Sequence, residues 1–188
     1  MELYLIRHPA VACASGTCYG QTDVPLADGF EDQIEHLRRQ LPDLAAFQVY
    51  SSPLSRCLTL AEALSFHQVH QNPDLMELNF GQWENRPWND LPVDQVQAWS
   101  EDILHKAPPE GETTQMLIDR GTRFINRLFE QDQDTIVFTH TGWIRAVLSH
   151  LLQMPVDMAF RLHIDFCGVT RIKKKNKWLQ IMYINRVN

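Results

Sequence analysis

Short apolar runs alternate with amphipathic stretches along this chain, and few architectures accept that order. Residues 2–7 form an apolar run that stops at Arg7-His8-Pro9, which fits a buried strand ended by proline. Phe30, Ile34, Leu37 and Leu41 recur at helical spacing and predict an amphipathic helix over 29–41, stopped by Pro42. Phe47-Gln48-Val49-Tyr50 reads as a second strand. Ser51-Ser52-Pro53 then reads as a helix start, with Ser52 as the cap and Pro53 in the first turn. That helix runs through Leu64. A short strand is expected within 66–73, irregular chain over 74–92, and a helix near 92–105. Leu117, Ile118, Phe124, Ile125, Leu128 and Phe129 give another helical stripe. Residues 134–139 predict a strand, 142–152 a helix opened by Gly142, and 167–184 two strands joined around Lys175-Asn176. Residues 10–29 read as loop. Such alternation specifies an α/β fold: a mostly parallel sheet covered by helices on both faces, a three-layer α/β/α sandwich. Function in such folds sits beyond the carboxyl ends of the strands.

The length of 188 residues suits one domain over 1–188. A net charge of -6 argues against a nucleic-acid partner, which needs a basic face. It leaves room for a local cationic pocket and a small phosphorylated metabolite. The run Lys173-Lys174-Lys175 reads as a solvated hairpin tip. No stretch reaches the ~20 apolar residues of a membrane span, and the start lacks the pattern of a signal peptide. No membrane partner is therefore expected. Cys13, Cys18, Cys57 and Cys167 show no CxxC spacing and read as reduced thiols of a cytoplasmic protein. Cys13 and Cys18 lie close to the candidate site and are the candidates for redox sensitivity there. The 167–184 strand pair is a candidate edge for a homodimer.

Four unusual residues fall where the strands end. Arg7 and His8 follow the first strand, Arg56 opens the helix after the second, and His140 follows the strand at 134–139. Singly, each is unremarkable. A parallel sheet brings those ends together, and two arginines with two histidines make an anion site. No HxH or HExxH spacing occurs, and paired arginines repel a divalent cation, so neither metal nor cofactor is expected.

Five blocks carry a resemblance. They are Leu5-Ile6-Arg7-His8, Ser51-Ser52-Pro53-Leu54-Ser55-Arg56, Glu77-Leu78-Asn79-Phe80-Gly81-Gln82-Trp83-Glu84, Pro109-Glu110-Gly111-Glu112-Thr113 and Thr139-His140-Thr141-Gly142-Trp143-Ile144-Arg145. In this order they resemble the signature blocks of the histidine phosphatase superfamily. The resemblance implies a phosphoglycerate mutase-like fold, with 76–115 as a lid or insertion region. It implies metal-independent phosphatase chemistry, with His8 as the nucleophile that becomes phosphohistidine. Arg7 and Arg56 would hold the phosphoryl oxygens, and a cationic His140 would bond the same oxygens. Glu77 would protonate the leaving oxygen and later activate water. Helix openings after Ser52 and Thr141 would add N–H donors.

The segment after His8 departs from the common family pattern of Gly, an acidic or amide residue, then Thr or Ser, with Asn a short way on. Here it reads Pro9-Ala10-Val11-Ala12-Cys13-Ala14. Pro9 has no N–H, and Ala14 stands where Asn would offer an amide. Ser15, Thr17 or Gln21 are the candidate replacements. The next stretch, Cys18-Tyr19-Gly20-Gln21-Thr22-Asp23-Val24-Pro25-Leu26, looks like the substrate loop of the α-ribazole phosphatases within that superfamily. That implies hydrolysis of α-ribazole 5'-phosphate, a late part of cobalamin nucleotide-loop assembly. Tyr19, Gly20 and Gln21 would then contact the substrate. The alternatives are a phosphoglycerate mutase and a non-catalytic phosphate-binding scaffold. The mutase would need more cations than Arg86 supplies near Glu77.

The remaining residues read as structural. His36, His67, His70, His105, His150 and His163 match no motif. Trp83, Trp88 and Trp99 read as core or lid anchors, with Trp83 also a candidate for the pocket mouth. Glu84 reads as a support for the lid loop, and Arg145 as a helix residue that ties the site together.

Overall fold

The computed structural model describes residues 1–43, 46–64, 66 and 68–187. His67 therefore lies outside the described residues. Its strands are β1 (Glu2–Arg7), β2 (Thr17–Cys18), β3 (Gln48–Ser51), β4 (His70–Gln71), β5 (Arg86–Pro87), β6 (Thr135–Thr139), β7 (Val169–Lys175) and β8 (Trp178–Arg186). Its helices are α1 (Phe30–Gln40), α2 (Ser55–Ala63), α3 (Val93–Glu101), α4 (Thr114–Gln131), α5 (Thr141–Leu152) and α6 (Val156–Ala159).

The described residues form a six-stranded sheet in the order β4-β3-β6-β1-β7-β8. The first four strands run parallel, and β7 and β8 add antiparallel pairs at one side. Each central strand has two buried faces, which explains the unbroken apolar run of β1. Leu3 and Leu5 point to one face, Tyr4 and Ile6 to the other, as alternation along a strand requires. On the first face they meet Leu117, Phe124, Ile125 and Leu128 of α4, and Trp143, Val147 and Leu148 of α5. On the second face they meet Ile34 and Leu37 of α1, and Cys57 and Leu60 of α2. These contacts make the three-layer sandwich. Leu5 and Ile6 are fully buried, and each contributes roughly 1.5–3 kcal/mol by leaving water.

Helix α4 shows how its stripe is used. Thr113 caps it by accepting from Met116 N at 3.1 Å, and Leu117, Gly121, Phe124 and Leu128 face inward. Gly121 lets α5 approach, since an added Cβ would stand 3.0 Å from Val147 Cγ2.

Three departures from the sequence reading matter for the site. The helix after β3 starts at Ser55 with Leu54 as its cap residue, so Ser52 is not the cap and Pro53 is not in the first turn. The Ser52 hydroxyl instead meets His140 Nε2 at 2.8 Å. Asp23 caps the helix from outside, as its Oδ1 accepts from Ser55 N at 2.9 Å and from Ser55 Oγ at 2.8 Å. The second departure is a small ladder of β2 with β5, which ties the 10–29 loop to the chain after Glu77. Two-residue strands carry no periodicity, so both segments read as irregular. The third is a set of 3₁₀ turns, Pro73–Leu75, Gly81–Trp83 and Trp88–Asp90, through the same stretch. No helix among the described residues is long and apolar enough to cross a membrane.

Candidate active site

Register places the reactive residues at one level. Arg7 of β1 pairs with Thr139 of β6, and Ser51 of β3 pairs with Phe138. The next residue on each strand is His8, His140 and Ser52. His8 N donates to Thr139 O at 3.1 Å, and Ser52 N to Phe138 O at 2.9 Å. The rings of His8 and His140 come within 5.2 Å, centroid to centroid. His8, Ser52, Arg56 and His140 are all buried.

The tautomer of His8 follows from one contact. Its Nδ1 lies 2.7 Å from Pro9 O. A carbonyl only accepts, so Nδ1 carries the hydrogen and Nε2 keeps its lone pair in the neutral ring. Burial, then Arg56 and Arg7, holds the His8 pKa well below 6.5. A neutral imidazole with a bare Nε2 is a competent nucleophile toward phosphorus. Proline after His8 removes an N–H but not this acceptor.

His140 differs from the cationic form expected. Arg56 Nε–H donates to His140 Nδ1 at 3.3 Å, so that nitrogen is unprotonated and Nε2–H donates to Ser52 Oγ. Burial, then Arg56 and His8, lowers its pKa well below 6.5. Adding a proton at Nδ1 would set it against the guanidinium. Only a nearby anion reverses that balance, and a phosphoryl dianion is such a group.

These neutral rings link stability to pH. In the unfolded chain each imidazole takes up a proton near 6.5; in the folded protein it does so only at lower pH. The unfolded state therefore binds more protons below that value. Stability is full above about pH 6.5 and falls as pH drops through that value, by up to about 1.4 kcal/mol per pH unit for each ring. The fall ends at the folded pKa. Urea midpoints are expected to decline between about pH 7 and about pH 5; a midpoint that stays level or rises would contradict the assignment.

The two arginines are held differently. Arg56 donates to Gly20 O at 2.6 Å and Thr22 O at 2.8 Å besides His140. It therefore binds the 19–22 loop to the histidine pair. Arg7 donates through Nη1 to Ile164 O at 2.6 Å. Its guanidinium carbon sits 3.8 Å over the Phe166 ring, and its buried Nε has no partner among the described residues. Phe166 also lies against His8, with centroids 5.7 Å apart. Nothing in the sequence singled out Phe166, because its role comes from a loop far along the chain.

Glu77 reaches the site from the long segment between α2 and α3. Its Oε1 accepts from Leu78 N and its Oε2 from Gly142 N, each at 2.9 Å. Gly142 must lack a side chain, since a Cβ there would come within 2.3 Å of Glu77 Oε1. The backbone of this segment is held by Arg120, which donates to Asp74 O at 2.8 Å, Met76 O at 2.5 Å and Glu77 O at 2.8 Å. Arg120 also pairs with Glu112 at 2.6 Å in a buried bridge. Sequence reasoning missed Arg120, although an arginine one turn along from Leu117 in an apolar stripe was a visible signal.

The loop of the 18–26 block divides by role. Tyr19 and Gly20 line the cleft, and Tyr19 has Arg56 5.3 Å from its ring centroid. Gln21 is not among the lining residues. Its amide donates to Glu77 O at 2.9 Å, so it supports the segment rather than facing a substrate. Glu84, expected to support the lid loop, does so through Phe80 N at 3.0 Å and also holds this loop, accepting from Gln21 N at 2.8 Å, Thr22 N at 2.5 Å and the Thr22 hydroxyl. Gly20 has φ +29, and a Cβ would press on Glu84 Oε1 and Leu78 O.

A cleft of about 390 Å³ opens above Arg7 and His8, while Arg56 and His140 are fully buried and not among its lining residues. Glu77, Thr141, Gly142, Thr17 and Cys18 also line it. Burial pushes the Cys18 thiol up to about 12, so it stays protonated there. Trp88 and Trp99 line the cleft, whereas Trp83 is buried beneath them and does not reach the mouth. Arg145 ties its Nε to Leu162 O at 2.8 Å, as expected, and also faces the cleft. Among the described residues no three His, Cys, Asp or Glu side chains converge to hold a metal ion.

The family model for the histidine phosphatase superfamily (branch 1) matches residues 3–186. The chain belongs to that superfamily. It is 32% identical to the adenosylcobalamin/alpha-ribazole phosphatase of Escherichia coli K12, over 98% of this chain and 96% of that protein. The protein of the same description in Salmonella typhimurium is 30% identical, over 88% of this chain and 86% of that one. The crystal structure of the alpha-ribazole phosphatase from Shigella flexneri superposes with a TM-score of 0.90 at 28% identity, covering 100% of this chain and 97% of that one. The three-layer sandwich is thus the fold of the phosphoglycerate mutase-like histidine phosphatases.

Proposed function

We propose that this protein hydrolyses α-ribazole 5'-phosphate through a phosphohistidine on His8. One observation carries the reaction: the Nδ1–H contact to Pro9 O, which leaves His8 Nε2 as a lone pair beside two arginines. Nε2 attacks phosphorus, and the bond from phosphorus to the ester oxygen breaks. Arg7, Arg56 and His140 bear the charge on the transferring group, which is the main demand of phosphoryl transfer. Glu77 gives its proton to the leaving oxygen. It then takes a proton from water, whose oxygen displaces His8 and releases orthophosphate. Tyr19, Gly20 and Thr141 bound the substrate. Residues 76–115 act as the lid region, tied down by Arg120 and Glu112. The relatives support the choice of substrate, and the free cysteines suit the cytoplasm.

The test is a panel of phosphate esters with EDTA present: α-ribazole 5'-phosphate, 3-phosphoglycerate, ribose 5-phosphate and phosphoserine. The expected result is phosphate release that EDTA leaves intact and vanadate inhibits, fastest with the first substrate. A coupled assay with bisphosphoglycerate that reported mutase turnover faster than hydrolysis would replace this reading with the phosphoglycerate mutase.

A further inference from the structure

We infer that one part of the cleft is a stacking subsite for one flat nitrogen heterocycle, built by Phe80, Trp88 and Trp99, with Phe160 and Arg145 in the same lining. The inference rests on the phosphatase reading of the same cleft and says which residues choose among its substrates.

Phe80, Trp83, Trp88 and Trp99 form one cluster. Trp83 is only 1% exposed, and Trp88 and Trp99 pack edge-on against it with centroids 6.1 and 5.8 Å away. Phe80 braces both, at 5.4 and 6.1 Å. Such edge-to-face packing fixes ring orientation. Phe80, Trp88 and Trp99 nonetheless stay half-buried and line the space above His8. A cluster serving only as core would bury these rings as it buries Trp83. Instead two indoles, inclined by 32° to one another, present apolar surface to the cleft. The Arg145 guanidinium lies 5.7 Å from the Phe160 centroid and adds a planar cation to the lining. Guanidinium planes and indoles both stack on heteroaromatic rings. The volume of about 390 Å³ lies in the range that buries one small-molecule ligand. Stacking tolerates different bases because every base has a π-face. The expected order of preference is therefore α-ribazole 5'-phosphate, then purine nucleoside 5'-monophosphates, then ribose 5-phosphate, which has the sugar and no ring system.

The experiment compares kcat/KM for α-ribazole 5'-phosphate and ribose 5-phosphate. The wild-type ratio should be roughly tenfold to a hundredfold, the contribution of one stacked base. Trp88→Leu and Trp99→Leu should each bring the ratio below about threefold. A second readout needs no variant: free α-ribazole, which has no phosphate, should inhibit ribose 5-phosphate hydrolysis competitively and quench tryptophan fluorescence. A wild-type ratio near one, or failure of free α-ribazole to compete, overturns the subsite while leaving the phosphatase intact. Absence of turnover on both esters would instead overturn the reading on which the subsite rests.

Discussion

Replacing His8 with alanine should lower phosphatase turnover by at least about 10⁴-fold, the scale seen when a nucleophile is removed from a preorganised site. The variant should also fail to form an acid-labile phosphoenzyme when mixed with substrate and quenched in base. The two readouts belong together. Loss of turnover alone would follow from any damage to the cleft. Loss of the covalent species alongside retained vanadate binding points to the missing Nε2. His8→Ala removes a buried ring that packs on Phe166 and His140, so its thermal unfolding should be recorded too. A variant that hydrolyses esters at the wild-type rate would end the phosphohistidine account.

Arg56→Ala should cost both stability and activity. Its side chain is fully buried and serves three acceptors: Gly20 O, Thr22 O and His140 Nδ1. Removing it leaves two carbonyls and an imidazole nitrogen without their donor. The expected loss is about 2–4 kcal/mol, read as a lower urea midpoint. The loop with Tyr19 and Gly20 loses its tie to the histidines, and the transferring phosphoryl loses a cation. A fall in kcat/KM of about 10³-fold is expected. Arg56→Lys keeps the charge but not the fork that reaches three acceptors at once. It should restore stability better than it restores kcat/KM. Equal recovery of both would mean that charge alone matters at this position.

Much of the fold was legible because its signals are local. The β1 and β6 runs, the α1 and α4 stripes and the hairpin turn at Asn176 each show in their own neighbourhood. The catalytic candidates were legible too, because strand ends in a parallel sheet converge and the motif blocks fall at those ends. What stayed hidden depends on distant partners. Ser52 resembles a helix cap, and only His140, arriving from β6, shows what its hydroxyl does. Gln21 was expected to face substrate, but the carbonyl of Glu77 takes its amide. Composition could not say which indole faces the cleft, since that depends on the elements that carry them: Trp83 and Trp88 sit in separate 3₁₀ turns and Trp99 in α3. Phe166 supports Arg7 from a loop that precedes β7, with no periodicity to announce it.

The carbonyl after His8 has a wider implication. Proton placement on that ring is governed by main-chain heading, so residue nine acts on the imidazole through its carbonyl and not its side chain. Proline suits the position, since its ring fixes φ, one of the two dihedrals that aim the oxygen. Because Pro9 is itself buried, substitutions at nine should be judged both by whether they redirect the backbone and by whether they fit the space its ring fills.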